Sequence, residues 1–268
     1  MCKFLSAIAF KNGDILCNPS VDSHEDLISL HDLKETRLRK WVRIEYYPAD
    51  NQDYDKIEKY NLHLDDTEFD WINDNLKGKW INKLNAKLDL IIIKENRKIL
   101  PSGTFILSGN VLINKLLYCR ILHAGNSTIE DAGSSTIKHA ENSTIEYAGN
   151  STIKDAGNST IKHAGYSTIE YAGNSTIKHA GRSTIMHAEN STIMHAENST
   201  IEYAGYSTIK YAGSSTIKYA GYSTIKDVGN STIKHAGHST IEDAGSSTIM
   251  HAENSTIMHA ENSTIINK

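Results

Sequence analysis

The feature that most constrains this chain is an eight-residue unit, here called the octad, which repeats 18 times without an insertion from residue 123 to residue 266. The first copy reads His-Ala-Gly-Asn-Ser-Thr-Ile-Glu, and its His123 defines position one. Ser-Thr-Ile is the same in every copy, and the Ala changes only at Val228. Positions one, three, four and eight vary. Fixed small and apolar residues beside variable ones indicate a stacked array, in which the fixed residues meet their own copies in a core.

The octad predicts a β-solenoid with two octads in each coil. A period of eight fits neither an α-helix nor a heptad coiled coil. The Thr-Ile pair favours a strand, and Ala-Gly-Asn favours a turn. One octad spans only about 26 Å of extended chain, which is too short to close around side chains. A coil of three octads is the alternative. Alternation along the strand points Ser and Ile inward with Ala near the bend, and Thr and position eight outward.

Comparison of every second copy supports the two-octad coil. Position four then reads Asn in five successive copies, followed by Tyr206 and Tyr222, and Asn ladders and stacked aromatic rings are natural between stacked strands. The same register places His163, His179 and His195 in one column, about 4.8 Å apart. It also places like charges over one another, as with Glu130 and Glu146, which opposes the assignment.

The repeats resemble the octapeptide repeats of bacterial ice-nucleation proteins, which share the Ala-Gly opening and a Ser-Thr pair. The resemblance implies a 16-residue β-solenoid and an ice-binding function as one alternative. Ice binding in that family rests on outward Thr-x-Thr ladders. Here the partner of each outward Thr is Lys, Glu or Met in all copies but the last, where it is Ile266.

The residues before the octads predict a small α+β domain over residues 1–100. Strands are expected at 4–10, 15–17, 41–47 and 59–64, and a short helix is expected after Ser23. A long helix is expected from about 67 to 90, because a capping pattern at Thr67 precedes apolar residues at helical spacing. Residues 101–122 are expected to form apolar capping coils, since Ile113 and Ile121 fall on the octad phase. Residues 123–268 form the solenoid.

Four residues of the first domain form a candidate site for an enzyme or ligand-binding activity: His24, Asp26, Arg43 and Glu45. A pocket that gathers His24 with Arg43 or Glu45 would favour this alternative. Ser23 followed by Asp26 is also an ordinary helix start, in which His24 would be solvated. Trp71 and Trp80 lie at helical spacing among apolar residues and are expected to be core anchors.

No catalytic residue, cofactor site or metal site is predicted elsewhere. The chain has no phosphate-binding glycine loop and no Cys-x-x-Cys pair. Nine octads carry His at position one, but Tyr fills the same position five times, and a metal site needs converging ligands. The protein is therefore expected not to be an enzyme, with residues 1–100 left open.

Charge and cysteine content bear on partners and compartment. Residues 1–122 carry 18 basic and 18 acidic side chains, and residues 123–268 carry 10 and 14. This balance argues against a nucleic-acid partner. No apolar stretch is long enough to span a membrane. Three cysteines, an odd and sparse set, suggest reduced thiols in a cytoplasm.

The last octads are expected to form a dimer contact. Position eight becomes apolar there, at Met250, Met258 and Ile266. An open strand edge beside apolar side chains invites pairing with another chain. The sequence therefore predicts a homodimer through the C-terminal coils, with a solvated, frayed terminus as the alternative.

The whole arrangement resembles uncharacterised bacteriophage and prophage proteins. In those, a small α+β domain with a Ser-His-x-Asp-Leu/Ile stretch leads through an apolar coil into tandem short repeats. The matching residues here are 23–27, Ser-His-Glu-Asp-Leu, and 41–45, Trp-Val-Arg-Ile-Glu, together with the Ser-Thr-Ile repeats. The resemblance implies a bacterial host cytoplasm. With the solenoid's variable surface, it predicts a non-enzymatic binding or scaffold protein whose partner is a host or phage protein, such as a defence component.

Overall fold

The computed structural model describes residues 4–21, 23–36, 38–50, 53–66 and 69–266. The chain divides into two compact units, and the boundary falls between Ile92 and Ile93. The first is a small α+β unit and the second is a parallel β-solenoid. The predicted fold class is therefore confirmed.

The first unit contains a four-stranded antiparallel sheet. Its strands are β1 (Leu5–Phe10), β2 (Ile15–Cys17), β3 (Trp41–Pro48) and β4 (Tyr60–Leu64), in the order β2-β1-β3-β4. The predicted first hairpin is confirmed, with Ala9 opposite Ile15. Gly13 lies in its turn at φ 90°, a conformation that favours glycine.

Two α-helices accompany this sheet: α1 (His24–Leu30) and α2 (Asp74–Ile91), with a 3₁₀ turn at Ile57–Lys59. The Ser23 hydroxyl accepts a hydrogen bond from the Asp26 backbone N–H at 3.0 Å, as the capping pattern predicts. Along α2, Trp80, Leu84 and Leu88 are fully buried. The Trp80 indole N–H donates to the Phe10 carbonyl at 3.0 Å, so this large side chain is both packed and hydrogen-bonded.

The predicted start of the long helix is wrong. The helix begins at Asp74, because the Asn73 side chain accepts a hydrogen bond from the Leu76 N–H at 3.0 Å and caps it there. Thr67, the predicted cap, lies outside the described residues. Trp71 falls in the preceding turn and meets Trp80 edge to face, with ring centroids 6.3 Å apart. Trp71 therefore packs against the apolar face of α2, although it lies outside the helix.

The second unit consists of two parallel sheets. Five strands begin before the repeat array: β5 (Ile92–Ile93), which spans the boundary between the units, β6 (Arg97–Leu100), β7 (Gly103–Leu107), β8 (Leu112–Leu116) and β9 (Cys119–Ala124). Each octad then contributes one strand, from β10 (Thr128–Asp131) to β26 (Thr256–His259) and β27 (Thr264–Ile265). The even-numbered strands β6 to β26 form an 11-stranded sheet, here the even sheet. β5 and the odd-numbered strands β7 to β27 form a 12-stranded sheet, here the odd sheet.

The register within each sheet is 16 residues. Ile129 pairs with Ile145 on one side and with Ile113 on the other, so the residues before the octads already follow the repeat phase. The predicted two-octad coil is confirmed, and the three-octad alternative is wrong.

The solenoid core contains the three side chains expected to point inward. The octad Ile is fully buried from Ile129 to Ile249. The octad Ala is equally buried up to Ala244, and the Ser side chains from Ser127 to Ser247 are only 1–4% exposed. Burial of an unpaired hydroxyl is unfavourable, so the serines need partners inside the coil.

A ladder of serine hydrogen bonds supplies those partners. The Ser159 hydroxyl accepts from the Ser143 backbone N–H at 3.0 Å and donates to the carbonyl of Ala140. Ser175 repeats this pattern one coil later with Ser159 and Ala156. Ser159 and Ser175 therefore join neighbouring coils through both donor and acceptor, which allows serines to be buried beside Ile and Ala in a narrow core.

Candidate functional site

The most distinctive surface of the solenoid is a ladder of stacked rings at position one of the octad. Position one ends each strand and precedes the buried Ala, so its side chain lies at the turn. The turns that lead from the even sheet to the odd sheet carry Tyr147, His163, His179, His195 and Tyr211, here the first ladder. Adjacent ring centroids are 4.8–4.9 Å apart, and the ring planes are nearly parallel. The predicted stacking of the three histidines is confirmed.

The opposite turns, which lead from the odd sheet to the even sheet, carry a longer ladder. The second ladder consists of Tyr171, His187, Tyr203, Tyr219, His235 and His251. Its ring centroids are 4.6–4.9 Å apart, again with nearly parallel planes. Both ladders follow directly from the 16-residue register, because rings in alternate octads are stacked at the strand spacing.

Position four adds a third ladder on the same turns as the second. Tyr206, Tyr222 and His238 stack with centroids 5.1 and 4.8 Å apart. In these three coils, positions one and four are therefore both aromatic. Tyr206 and Tyr222 are 65% and 56% exposed. Where the two ladders share coils, the third consequently presents more open ring surface than the second, in which Tyr203 and Tyr219 are 43% and 42% exposed.

Position four also has an unusual backbone. Its φ is near +55° in most octads, and Asn occupies it most often. Asn tolerates this left-handed conformation better than other non-glycine residues do. The sequence reasoning explained the Asn column by side-chain stacking and missed the backbone requirement, although the preference for Asn could have revealed it. The aromatic residues Tyr166, Tyr206, Tyr222 and His238 occupy this conformation against their steric preference.

The central histidine of the first ladder, His179, resists protonation. Desolvation lowers the pKa of His179, and the neighbouring His163 and His195 lower it further because a second positive charge in the stack would be repelled. Glu197 acts in the opposite direction, but the net shift is downward. A stacked column of imidazoles is therefore most stable when its centre is neutral.

The outward faces of the two sheets carry ion pairs between position-eight residues of neighbouring coils. Lys162 lies 2.5 Å from Glu146, and Lys218 lies 2.6 Å from Glu202. These pairs offset the like-charge contacts that the 16-residue register also creates. The Thr columns beside them are half-buried. Ice binding by these columns stays a prediction, which a thermal hysteresis measurement would test.

In the first unit, the structure places His24 in a buried cluster with Glu45 and Asp65. His24 is 3% exposed and Glu45 is 7% exposed. The His24 Nε2 lies 2.9 Å from the Ile44 carbonyl oxygen, and its Nδ1 lies 3.2 Å from Asp65 Oδ2. One ligand atom from each of the three residues lies within 4.8 Å of the others. His24 is the first residue of α1, as the capping pattern predicts, but it is buried there and not solvated.

The other two sequence candidates lie outside this cluster. Asp26 is exposed on the first turn of α1, where its backbone N–H donates to Ser23. The Arg43 guanidinium pairs with Glu35 and lies 3.5 Å from Asp66 Oδ1. Sequence reasoning missed Asp65, which directly follows β4, because only the pairing of β3 with β4 brings it beside His24.

The three residues of the predicted dimer contact lie in the last coils. Met258 is 59% exposed and Ile266 is 40% exposed, whereas Met250 is half-buried. Ile265 is 43% exposed, although the equivalent Ile is fully buried in most other octads. β26 and β27 are the end strands of the even and odd sheets as described. The interior column is therefore open to solvent at this end.

Within the described ranges, neither α-helix combines the length and apolarity that crossing a bilayer would require. Comparisons of the chain with protein-family models, with curated proteins and with solved structures find no match.

Proposed function

We propose that the protein is a non-enzymatic binding scaffold whose solenoid holds a protein partner on its ring ladders. The observation that carries this proposal is the regular stacking of half-exposed tyrosine and histidine rings on the turns of the solenoid. Tyrosine supplies a large contact area at little conformational-entropy cost, and it is enriched where proteins bind one another. Stacking restricts the rings before binding, which reduces the entropy lost on association.

The chemistry of the ladders favours a protein over a nucleic acid. The repeat region has 10 basic and 14 acidic residues, so it offers no excess positive charge to phosphates. Within a ladder, each ring covers the face of its neighbour, which leaves few faces for a base to stack on. The exposed edges instead present hydroxyl and imidazole groups that exchange hydrogen bonds with a peptide backbone or with polar side chains.

The turns that carry the second and third ladders are the strongest part of the proposed surface. Tyr203, Tyr219, Tyr206 and Tyr222 lie there in adjacent coils, so two aromatic rows run together along the solenoid. Residues kept in a sterically unfavourable conformation are frequent at functional sites. Tyr206 and Tyr222 occupy the left-handed backbone of position four, which Asn tolerates better, so the choice of tyrosine there favours a role in binding over one in stability.

The resemblance to bacteriophage and prophage proteins gives the proposal a setting. The partner would be a host or phage protein in the bacterial cytoplasm, such as a defence component. Cys17 and Cys119 are free thiols, and burial raises the pKa of Cys17 to about 12. Free thiols suit a reducing compartment, and the raised pKa makes the Cys17 thiol unreactive.

Site-specific photo-crosslinking would test the proposed surface. A photoreactive phenylalanine analogue at Tyr206 or Tyr222 should capture the same protein from a lysate of the cell that naturally makes the chain. The analogue at Asn230, an octad position four on the opposite turns, is the matched control and should not capture it. With the purified partner, the double variant Tyr206→Asn, Tyr222→Asn should weaken binding at least about tenfold, as expected for central aromatic contacts.

Two results would contradict the proposal. One is that the analogue at Tyr206 or Tyr222 captures only proteins that the Asn230 control also captures. The other is unchanged affinity after both tyrosines are replaced by Asn, the residue that the backbone at position four prefers. In the second case, the partner would contact the first unit or the outward faces of the sheets.

A second proposal concerns the open C-terminal coils. We propose that a second copy covers Met258, Ile265 and Ile266, because exposed apolar side chains beside unpaired strand edges favour edge-to-edge association. Light scattering at micromolar concentration should then give twice the 29.7 kDa chain mass. Met258→Lys should shift the mass toward one chain, while Met186→Lys on the outward face of a central coil should not. A single-chain mass for the unchanged protein would contradict the dimer.

A further inference from the structure

The buried cluster in the first unit has a composition that the binding surface of the solenoid does not explain. His24 and Glu45 are almost fully buried, whereas the Asp65 side chain is 33% exposed. Burial of ionisable groups is unfavourable unless charges are paired or held by a metal. A buried histidine on α1, a buried glutamate on β3 and a partly exposed aspartate at the end of β4 therefore form a candidate site for an ion.

The orientation of His24 is fixed by a backbone contact. Its Nε2 lies 2.9 Å from the Ile44 carbonyl oxygen, so this nitrogen carries a proton and donates it. The remaining nitrogen, Nδ1, points at the Asp65 carboxylate. A histidine that donates one ring N–H to a backbone carbonyl and directs the other nitrogen toward carboxylates has the arrangement common among metal-binding histidines.

We propose that His24 Nδ1, the Glu45 carboxylate and the Asp65 carboxylate bind one divalent metal ion. Ligand atoms about 2.1 Å from one ion lie roughly 3 to 4.2 Å from one another. The distance of 3.2 Å between His24 Nδ1 and Asp65 Oδ2 falls in this range. The ligand atoms of all three residues lie within 4.8 Å of one another, so they need to approach only slightly to bind one ion. The exposed side of Asp65 gives the ion a path from solvent and leaves a position for water.

The charges in the cluster also favour an ion. A divalent ion held by two carboxylates and a neutral imidazole has no net charge, which suits a largely buried site.

The donor set indicates the class of metal. One imidazole and two carboxylates suit Mn²⁺, Fe²⁺ or Zn²⁺ better than the soft ions that thiolates select. His63 lies opposite Glu45 on β4, and its Nε2 is 3.7 Å from Asp65 Oδ1. His63 therefore contacts the outer side of the carboxylate ligand and is expected to orient it.

A titration of the full chain with Mn²⁺ tests the site. The electron paramagnetic resonance signal of free Mn²⁺ measures how much of the ion is bound. Mn²⁺ is the appropriate probe because the histidine ladders of the solenoid should bind it weakly, whereas they would compete for Zn²⁺. The expected result is one saturable site per chain. Asp65→Asn should raise its dissociation constant more than about tenfold, since even outer partners of a metal contribute that much. Glu25→Gln, which removes an exposed carboxylate next to His24, should leave it unchanged.

Thermal unfolding gives a second, independent readout. The tryptophans of the chain are Trp41, Trp71 and Trp80, so their fluorescence reports unfolding of the first unit. Saturating Mn²⁺ should raise the midpoint of this transition in the unchanged chain and not in Asp65→Asn. The proposal is overturned if no saturable Mn²⁺ site exists, or if Asp65→Asn binds Mn²⁺ as tightly as the unchanged chain. The cluster would then be a buried ion pair only.

Discussion

The two units of this protein bury polar groups by opposite means. In the first unit each buried polar contact is unique, as with Trp80 to the Phe10 carbonyl or His24 to the Ile44 carbonyl. In the solenoid one contact, the serine ladder, is repeated through successive coils. The comparison shows that a repeated core leaves the outward residues free to vary, whereas an irregular core can bring three different ionisable groups to one point.

The largest expected effect tests the irregular core. Leu84→Ala removes a fully buried side chain from α2 and should lower the free energy of unfolding of the first unit by about 2–5 kcal/mol. Denaturation by urea, followed by tryptophan fluorescence, measures it. Leu90→Ala on the same helix is the control, because Leu90 is 76% exposed, and it should change the value by less than about 0.5 kcal/mol. Equal effects would mean that α2 does not pack as described.

The second prediction tests the repeated core. The Ser247 hydroxyl donates to the Val228 carbonyl at 2.9 Å and accepts from the Ser231 N–H at 3.0 Å. Ser247→Ala leaves both buried groups without their partner and should destabilise the solenoid by about 1–3 kcal/mol. Ser246→Ala, at the exposed neighbouring residue, should have little effect. Circular dichroism during thermal unfolding compares them, and a harmless Ser247→Ala would show that the ladder is dispensable.

The third prediction concerns the turns. Asn198 has φ 54°, so Asn198→Ala should destabilise the solenoid by about 1 kcal/mol, while Asn198→Gly should be close to neutral. The same thermal measurement distinguishes the two variants. If Ala and Gly behave alike, the left-handed backbone does not explain the Asn column, and side-chain stacking would be the better explanation.

The smallest effect depends on pH. Because the pKa of His179 in the folded chain lies below its ordinary 6.5, the unfolded chain binds a proton more readily as the pH falls. The His179 contribution to stability is therefore complete above pH 6.5 and declines as the pH falls from 6.5 through the lower folded value. His179→Gln should make the solenoid's thermal midpoint less sensitive to pH in this window. His31→Gln, at an exposed residue of the first unit, should leave the solenoid's pH profile unchanged.

The sequence predicts the solenoid better than the first unit, for a physical reason. The coil size, the inward Ile, Ser and Ala, and the histidine column all follow from a short period and strand alternation, which are local properties. The start of α2 depends on competition between two capping residues, Thr67 and Asn73, which periodicity does not decide. Asp65 could not be assigned to the site because its position beside His24 arises from the pairing of separate strands.

The two-octad coil constrains how this chain can change in length. Unequal recombination between octads can add or remove copies, and each copy is a complete strand and turn. A gain of two octads adds one coil and leaves every later residue on its original turn. A gain of one octad moves all later residues to the opposite sheet, so that rings from the second ladder would continue the first and the rows of tyrosine would be broken. Natural length variants that keep the ladders should therefore differ by multiples of about 16 residues.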